Sequence, residues 1–266
     1  MNSILDLPQL PDSFLLIGTP GAGKTTLAIQ LAIAQNKTLG IIDFDHNLAG
    51  PVRHLKSISA DLSKIKVSDP YTTKDGKPLD RFERFERAME CLDEFIADPS
   101  INFILVDSAT SLVEFVFDKI RKEAVSGNRK NPPRLGDNRK VLDGPLQMED
   151  WGTFFGVMKK IVFDLKGSGK TIGMTCHVRP DKDEMLGITQ YFISIPGQTS
   201  TIISGWFSEA WLCEAVTEGL GSAMKTVRKI RTVGDRNSQP LGLKTSCSLP
   251  AETKIDINEI TTKLSK

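Results

Sequence analysis

The sequence predicts an α/β fold: a mostly parallel central sheet covered by helices, with antiparallel strands added toward the C-terminus. Three observations predict it. Short apolar runs at residues 14–17, 38–44, 101–106 and 171–175 alternate with longer amphipathic stretches, as buried strands joined by helical crossovers do. The first run stops at a glycine-rich turn, residues 18–25, and good helix formers follow at once. Beyond His177 the pattern changes to short alternating runs at 191–195, 201–203, 210–212 and 227–233, which read as antiparallel strands or hairpins.

Each element follows in order. Phe14, Leu15, Leu16 and Ile17 make an unbroken apolar strand, and residues 24–35 a helix with Leu27, Leu31 and Ala34 on one face. Residues 38–44 form a second strand that ends in acids. Residues 81–96 carry Phe82, Phe85, Met89, Leu92 and Phe95 at helical spacing. Residues 101–106 form the third buried strand, 110–124 and 150–165 two further helices, and 171–175 the fourth strand; 256–264 reads as a short closing helix. Residues 126–145 are rich in Gly, Asn, Pro, Arg and Lys and read as a basic flexible loop. With no internal repeat and no linker, residues 1–266 read as one domain, with an N-terminal tail at 1–12 and a loop or hairpin insertion at 178–204.

Composition narrows the classes. A chain of 266 residues, 39% hydrophobic and 25% charged, is an ordinary globular protein. A net charge of +1 provides no global field toward nucleic acid or an anionic membrane, so any nucleic-acid site must be a local patch. Residues 101–106, the longest apolar run, are too few to span a bilayer. The N-terminus lacks the basic start of a signal peptide, so a cytoplasmic protein without a membrane partner is expected. Cys91, Cys176, Cys213 and Cys247 are scattered without CxxC spacing and read as free thiols.

Gly18-Thr19-Pro20-Gly21-Ala22-Gly23-Lys24-Thr25 satisfies G-x-x-x-x-G-K-[ST] between a strand and a helix. Glycines let the backbone turn its N–H groups inward as an anion nest, and the helix start adds positive potential. Gly18, Pro20, Gly21, Ala22, Gly23, Lys24, Thr25 and Thr26 are therefore expected to hold the phosphates of ATP. Lys24 would reach the β- and γ-phosphates, and Thr25 would offer its hydroxyl to Mg²⁺. The strand 103–106 ends in Asp107, placed to hold that Mg²⁺. No Glu follows Asp107, so the water-activating group is sought in Asp43 or Asp45, which alternation puts on the same side of an extended chain. His177, after the fourth strand, is a polar group that could report on the γ-phosphate.

The order of these motifs resembles the RecA-like P-loop ATPase core, and more narrowly the compact phage-encoded RecA-like proteins of single-strand annealing and recombination. Asp150-Trp151-Gly152, Pro196-Gly197-Gln198 and Trp206-Phe207-Ser208-Glu209-Ala210 add to the likeness. The resemblance implies Asp45 as the catalytic carboxylate, where the family usually has Glu, and His177 as the polar sensor, where recombinases often have Gln. It implies a homo-oligomer in which Lys229, Arg231 or Arg236 reaches a neighbour's phosphates. It also implies single-stranded DNA as a partner, held by the regions after the third and fourth strands, with a single-strand DNA-binding protein as companion. The first region carries Arg129, Lys130, Arg134, Arg139 and Lys140, and the second Arg179. A helicase or loader motor, a small-molecule or nucleotide kinase with the 126–145 loop as lid, and a non-hydrolysing ATP-binding module are the alternatives.

Overall fold

The computed structural model describes residues 12–125, 146, 148–184, 187–219, 224–247 and 249–264. Among these, nine strands form one sheet in the order β3-β2-β4-β5-β1-β7-β8-β9, with β6 pairing to β5. The strands are β1 (Ser13–Gly18), β2 (Leu39–Asp43), β3 (Ile65–Ser68), β4 (Phe103–Asp107), β5 (Thr171–Asp183), β6 (Ile188–Ile193), β7 (Glu209–Glu218), β8 (Lys225–Arg231) and β9 (Glu252–Lys254). The helices are α1 (Lys24–Ala34), α2 (Ala49–Ser57), α3 (Arg84–Ala97), α4 (Ala109–Val125), α5 (Met148–Gly167), α6 (Thr199–Ile202) and α7 (Ile257–Leu264). This is the expected class: strands β1 to β5 and β7 pair in parallel, while β6, β8 and β9 are antiparallel additions.

The period-two alternation of the strands builds a core on each face of the sheet. Leu15, Ile17, Ile104 and Val106 point to one side, where α3, α4 and α5 cover them. Phe14, Leu16, Ile41, Phe103 and Leu105 point to the other, under α1, Leu55 of α2 and Ile260 of α7. Gly40 leaves the space that the Phe95 ring fills: a Cβ there would stand 2.8 Å from the ring. Trp211 of β7 lies at the centre of the second face, edge-on to Phe14 at 5.3 Å, and its indole N–H donates to Glu209, itself fully buried. Trp211→Ala is expected to lower unfolding free energy by roughly 3–5 kcal/mol. The upper part of that range is expected because a donor to a buried carboxylate is lost with the ring; a urea titration measures it.

Several expectations are corrected. Residues 201–203, read as a strand, are the end of α6 and the start of a 3₁₀ turn (Ile203–Trp206). Ser200, Thr201 and Ser204 there satisfy local and neighbouring carbonyls through their hydroxyls. Residues 210–212, read as antiparallel, pair in parallel with β1 on one side, while on the other Ala210 bridges Lys244 and Leu212 begins the antiparallel ladder with β8. The fourth strand does not stop at His177: β5 leaves the parallel ladder there and runs on to Asp183 as a hairpin with β6. Elements α2, β3 and β9 carry too little apolar periodicity to be read from sequence; β3 buries no residue fully and α2 only Leu55. Two of the three segments singled out by resemblance meet in space, since Trp151, Gly152, Pro196, Gly197 and Gln198 line one small cleft.

Candidate nucleotide-binding site

The C-terminal ends of β1, β2, β4 and β5 open onto one cavity of about 780 Å³, the position where open parallel sheets bind ligands. The loop after β1 turns back through Gly21 and Gly23, with φ of 78° and 94°. These left-handed conformations favour glycine. Gly18 has a different reason: a Cβ there would lie 2.4 Å from the carbonyl oxygen of Cys213. Gly23 is the N-cap of α1, and no acid sits in the first turn, so the positive end of the helix faces the cavity unneutralised.

Lys24 is only 6% exposed. Its ammonium donates to the carbonyls of Gly18 and Thr19, each at 3.0 Å, and stands 3.3 Å from Nδ1 of His177. Burial pulls its pKa below the ordinary lysine value, against the attraction of Cys213, Asp107 and Asp45 among others. Pro20, Gly21, Gly23, Thr25 and Thr26 line the cavity with it. Ala22 does not: its side chain packs in the core under α1 and its N–H bonds to the Thr19 carbonyl.

Asp107 closes β4 and is 5% exposed. Thr25 donates its hydroxyl to one carboxylate oxygen at 2.8 Å and Thr175 of β5 to the other. Burial raises the Asp107 pKa, and these two hydrogen bonds oppose the rise. A buried carboxylate held only by neutral hydroxyls, beside a threonine, is an oxygen donor set suited to Mg²⁺. Among the described residues no group of three or more His, Cys, Asp and Glu is assembled for a metal. A cation here would draw its remaining oxygens from phosphate and water, as Mg²⁺ commonly does. The glycine turn, the open helix start and Lys24 likewise fit a polyphosphate.

Asp43 and Asp45 do not lie side by side. β2 ends at Asp43 and the chain bends, so alternation no longer applies. Asp43 turns back to accept the N–H groups of Asp45 and Asn47, shaping the bend. Asp45 faces the cavity. One of its oxygens accepts from Ser108, at 2.9 Å, and from Ser111; the other is 3.5 Å from Nε2 of His177. Burial would raise the Asp45 pKa, but hydrogen bonds from His177, Ser111 and Ser108 outweigh it and hold the carboxyl below its ordinary value. His177 thus stands between Lys24 and Asp45, with Nδ1 toward one and Nε2 toward the other.

The sequence matches the family described as an AAA domain over residues 11–234. The chain belongs to this family. It is therefore a P-loop ATPase in the general sense. No curated protein matches it. Among solved structures, it is similar to a KaiC-like protein from the hyperthermophilic archaeon Pyrococcus horikoshii OT3, at 14% identity and a TM-score of 0.44, covering 92% of this chain and 90% of that one. It is also similar to the RadB recombinase, at 14% identity and a TM-score of 0.44, covering 83% and 79%.

In this AAA domain the late basic residues separate by strand face. Lys229 and Arg231 of β8 are engaged: Lys229 pairs with Glu218 and Glu252, and Arg231 with Glu214 and Asp235. Arg236 is exposed in the following loop. None of the three lines the cavity, whereas Arg228 does. Spacing alone could not have singled out Arg228 from its neighbours, because the β7–β8 register decides which face it takes. Asn47, Pro51, His54 and Tyr71 form the far wall of the cavity and were also missed, lying in and around elements that the sequence did not reveal. Arg179 is exposed on the β5–β6 hairpin, paired across the ladder with Phe192. Arg129, Lys130, Arg134, Arg139 and Lys140 lie outside the described residues. No helix among the described residues is long and apolar enough to cross a membrane.

Proposed function

We propose that this protein is a Mg²⁺-dependent RecA-like ATPase that acts as a homo-oligomer on single-stranded DNA, in recombination or annealing of the phage type. The observation that carries the reading is the chain of contacts Lys24–His177–Asp45, set beside the Thr25–Asp107 pair at the mouth of one cavity. His177 is also the residue at which β5 passes from the parallel sheet into the hairpin that bears Arg179. A group that senses the nucleotide is thereby joined, through one strand, to a candidate DNA-contacting surface.

Each side chain has a task in this reading. Lys24 exchanges the carbonyls of Gly18 and Thr19 for phosphate oxygens, which withdraws it from His177. Asp45, pinned by Ser108 and Ser111 and held ionised, suits orienting the attacking water better than retaining its proton, since a strong general base needs a pKa near the working pH. Bound Mg²⁺, held by Thr25 and Asp107, would supply charge neutralisation at the phosphates. Arg236, exposed and outside the cavity of its own subunit, is the trans-acting residue that this arrangement favours, with Lys229 and Arg231 available only if their ion pairs open. The same reading places the protein in the cytoplasm beside a single-strand DNA-binding protein.

A second reading has one observation behind it. The cavity extends past Asp45 to Pro51, His54 and Tyr71, leaving room for a phosphoryl acceptor as in a kinase. ATP hydrolysis with and without single-stranded DNA, at two salt concentrations, separates the two. DNA-stimulated turnover that weakens with salt is expected, because phosphate contacts release counterions. Turnover indifferent to DNA, with no DNA binding by titration, would remove the recombination reading and favour a metabolite acceptor.

A further inference from the structure

We infer that Arg228 is a nucleotide-binding residue within the same subunit, its guanidinium holding the α,β-phosphate end of the bound nucleotide. The inference rests on reading the cavity as a nucleotide site. Strand order sets the direction. The loop strand β1 lies between β5 on one side and β7 on the other. His177, Asp107 and Asp45 all belong to the β5, β4 and β2 side, around the Lys24 ammonium. A polyphosphate seated on the loop with its terminal phosphate at Lys24, away from those acids along its length, then runs toward β7 and β8. Arg228 is the charged side chain that lines the cavity from that side.

The contact with the loop is close. A Cβ added to Gly23 would stand 2.7 Å from Cδ of Arg228 and 2.9 Å from its Nε. The arginine stem thus lies directly on the last glycine before Lys24, and Gly23 must lack a side chain for it to do so. Alternation along β8 separates Arg228 from Lys229 and Arg231. Those two are satisfied by carboxylates, whereas Arg228 has no ion pair within 4.0 Å among the described residues. Arg228 is an exposed cation without a counter-ion, laid against a helix N-terminus and near the buried Lys24, so an anion entering the cavity is attracted by all three. Its planar fork matches two phosphate oxygens.

Nucleotide affinities test the inference, measured by competition against a fluorescent N-methylanthraniloyl-ADP for wild type, Arg228→Ala, Arg228→Lys and Lys225→Ala. Arg228→Ala is expected to weaken ATP and ADP alike by ~10-fold, the usual worth of a hydrogen bond to a charged group. Arg228→Lys should recover only part, because the bidentate geometry is lost. Lys225, an exposed cation on the same strand, should leave both affinities unchanged when replaced. A loss confined to ATP would move Arg228 to the γ-phosphate and overturn the inference. An equal loss in Lys225→Ala would reduce it to a diffuse field, and no loss at all would remove the contact. Failure of the wild-type protein to bind either nucleotide would instead sink the nucleotide-site reading on which all of this stands.

Discussion

Lys24→Ala is expected to abolish ATP turnover, with a fall of at least ~10²-fold, the scale set by removing a single charge-stabilising donor from a preorganised site. Among the described residues lining the cavity only Lys24 and Arg228 carry a permanent positive charge, and Arg228 approaches from the β8 side. Among the described residues no other lysine or arginine lines the cavity at the β4–β5 side to replace Lys24. The fold should survive. In the free protein the Lys24 ammonium is buried and satisfied by two carbonyls of its own loop, so its removal relieves a desolvation cost while leaving the Thr25–Asp107 pair intact. A steady-state ATPase assay beside a thermal melt separates the two effects. Retained turnover would show that the loop binds phosphate without Lys24, and a collapsed melting transition would make the variant a folding mutant.

Asp107→Asn is expected to have the next largest effect: turnover reduced by at least ~10²-fold, a few kcal/mol of metal-linked charge stabilisation. Nucleotide binding should also lose its dependence on Mg²⁺ concentration. The substitution keeps the shape of the side chain. Its amide can still accept from one threonine and donate to the other, because both partners, Thr25 and Thr175, are hydroxyls that rotate. It also removes a buried negative charge whose burial raises its pKa, so the free protein should be as stable as wild type or slightly more so. The check is a Mg²⁺ titration of ATP binding for both proteins. An unchanged Mg²⁺ response in the variant would place the cation elsewhere. Asp107→Ala is the harsher comparison: it leaves two hydroxyls near a void and should cost stability as well.

Much of this was legible locally. The phosphate loop is a run of eight residues whose backbone requirements are met by its own glycines, so its presence needs no distant partner. The strands β1, β2 and β4 are equally plain, because a strand buried on both faces must be apolar at every position. Asp107 was legible for the same reason: a charge at the end of such a run stands out. Asp43 and Asp45 were not separable, since the bend after Asp43 depends on backbone N–H groups that fold back onto its carboxylate. Asp45 owes its place in the cavity to Ser108 and Ser111, more than sixty positions away.

Sequence by itself determined the class of fold, the loop and the identity of its lysine and threonine, because these follow from the periodicity of burial and from local backbone conformation. Tertiary structure alone decided that β7 pairs in parallel with β1, that β5 continues beyond His177 into a hairpin, and that His177 stands between Lys24 and Asp45. It alone turned Arg228 toward the loop while Lys229 and Arg231 were taken up by carboxylates. The physical reason is the same in each case. Burial leaves its mark on every residue it includes, whereas the register between strands and the partner a charge finds are properties of two segments at once.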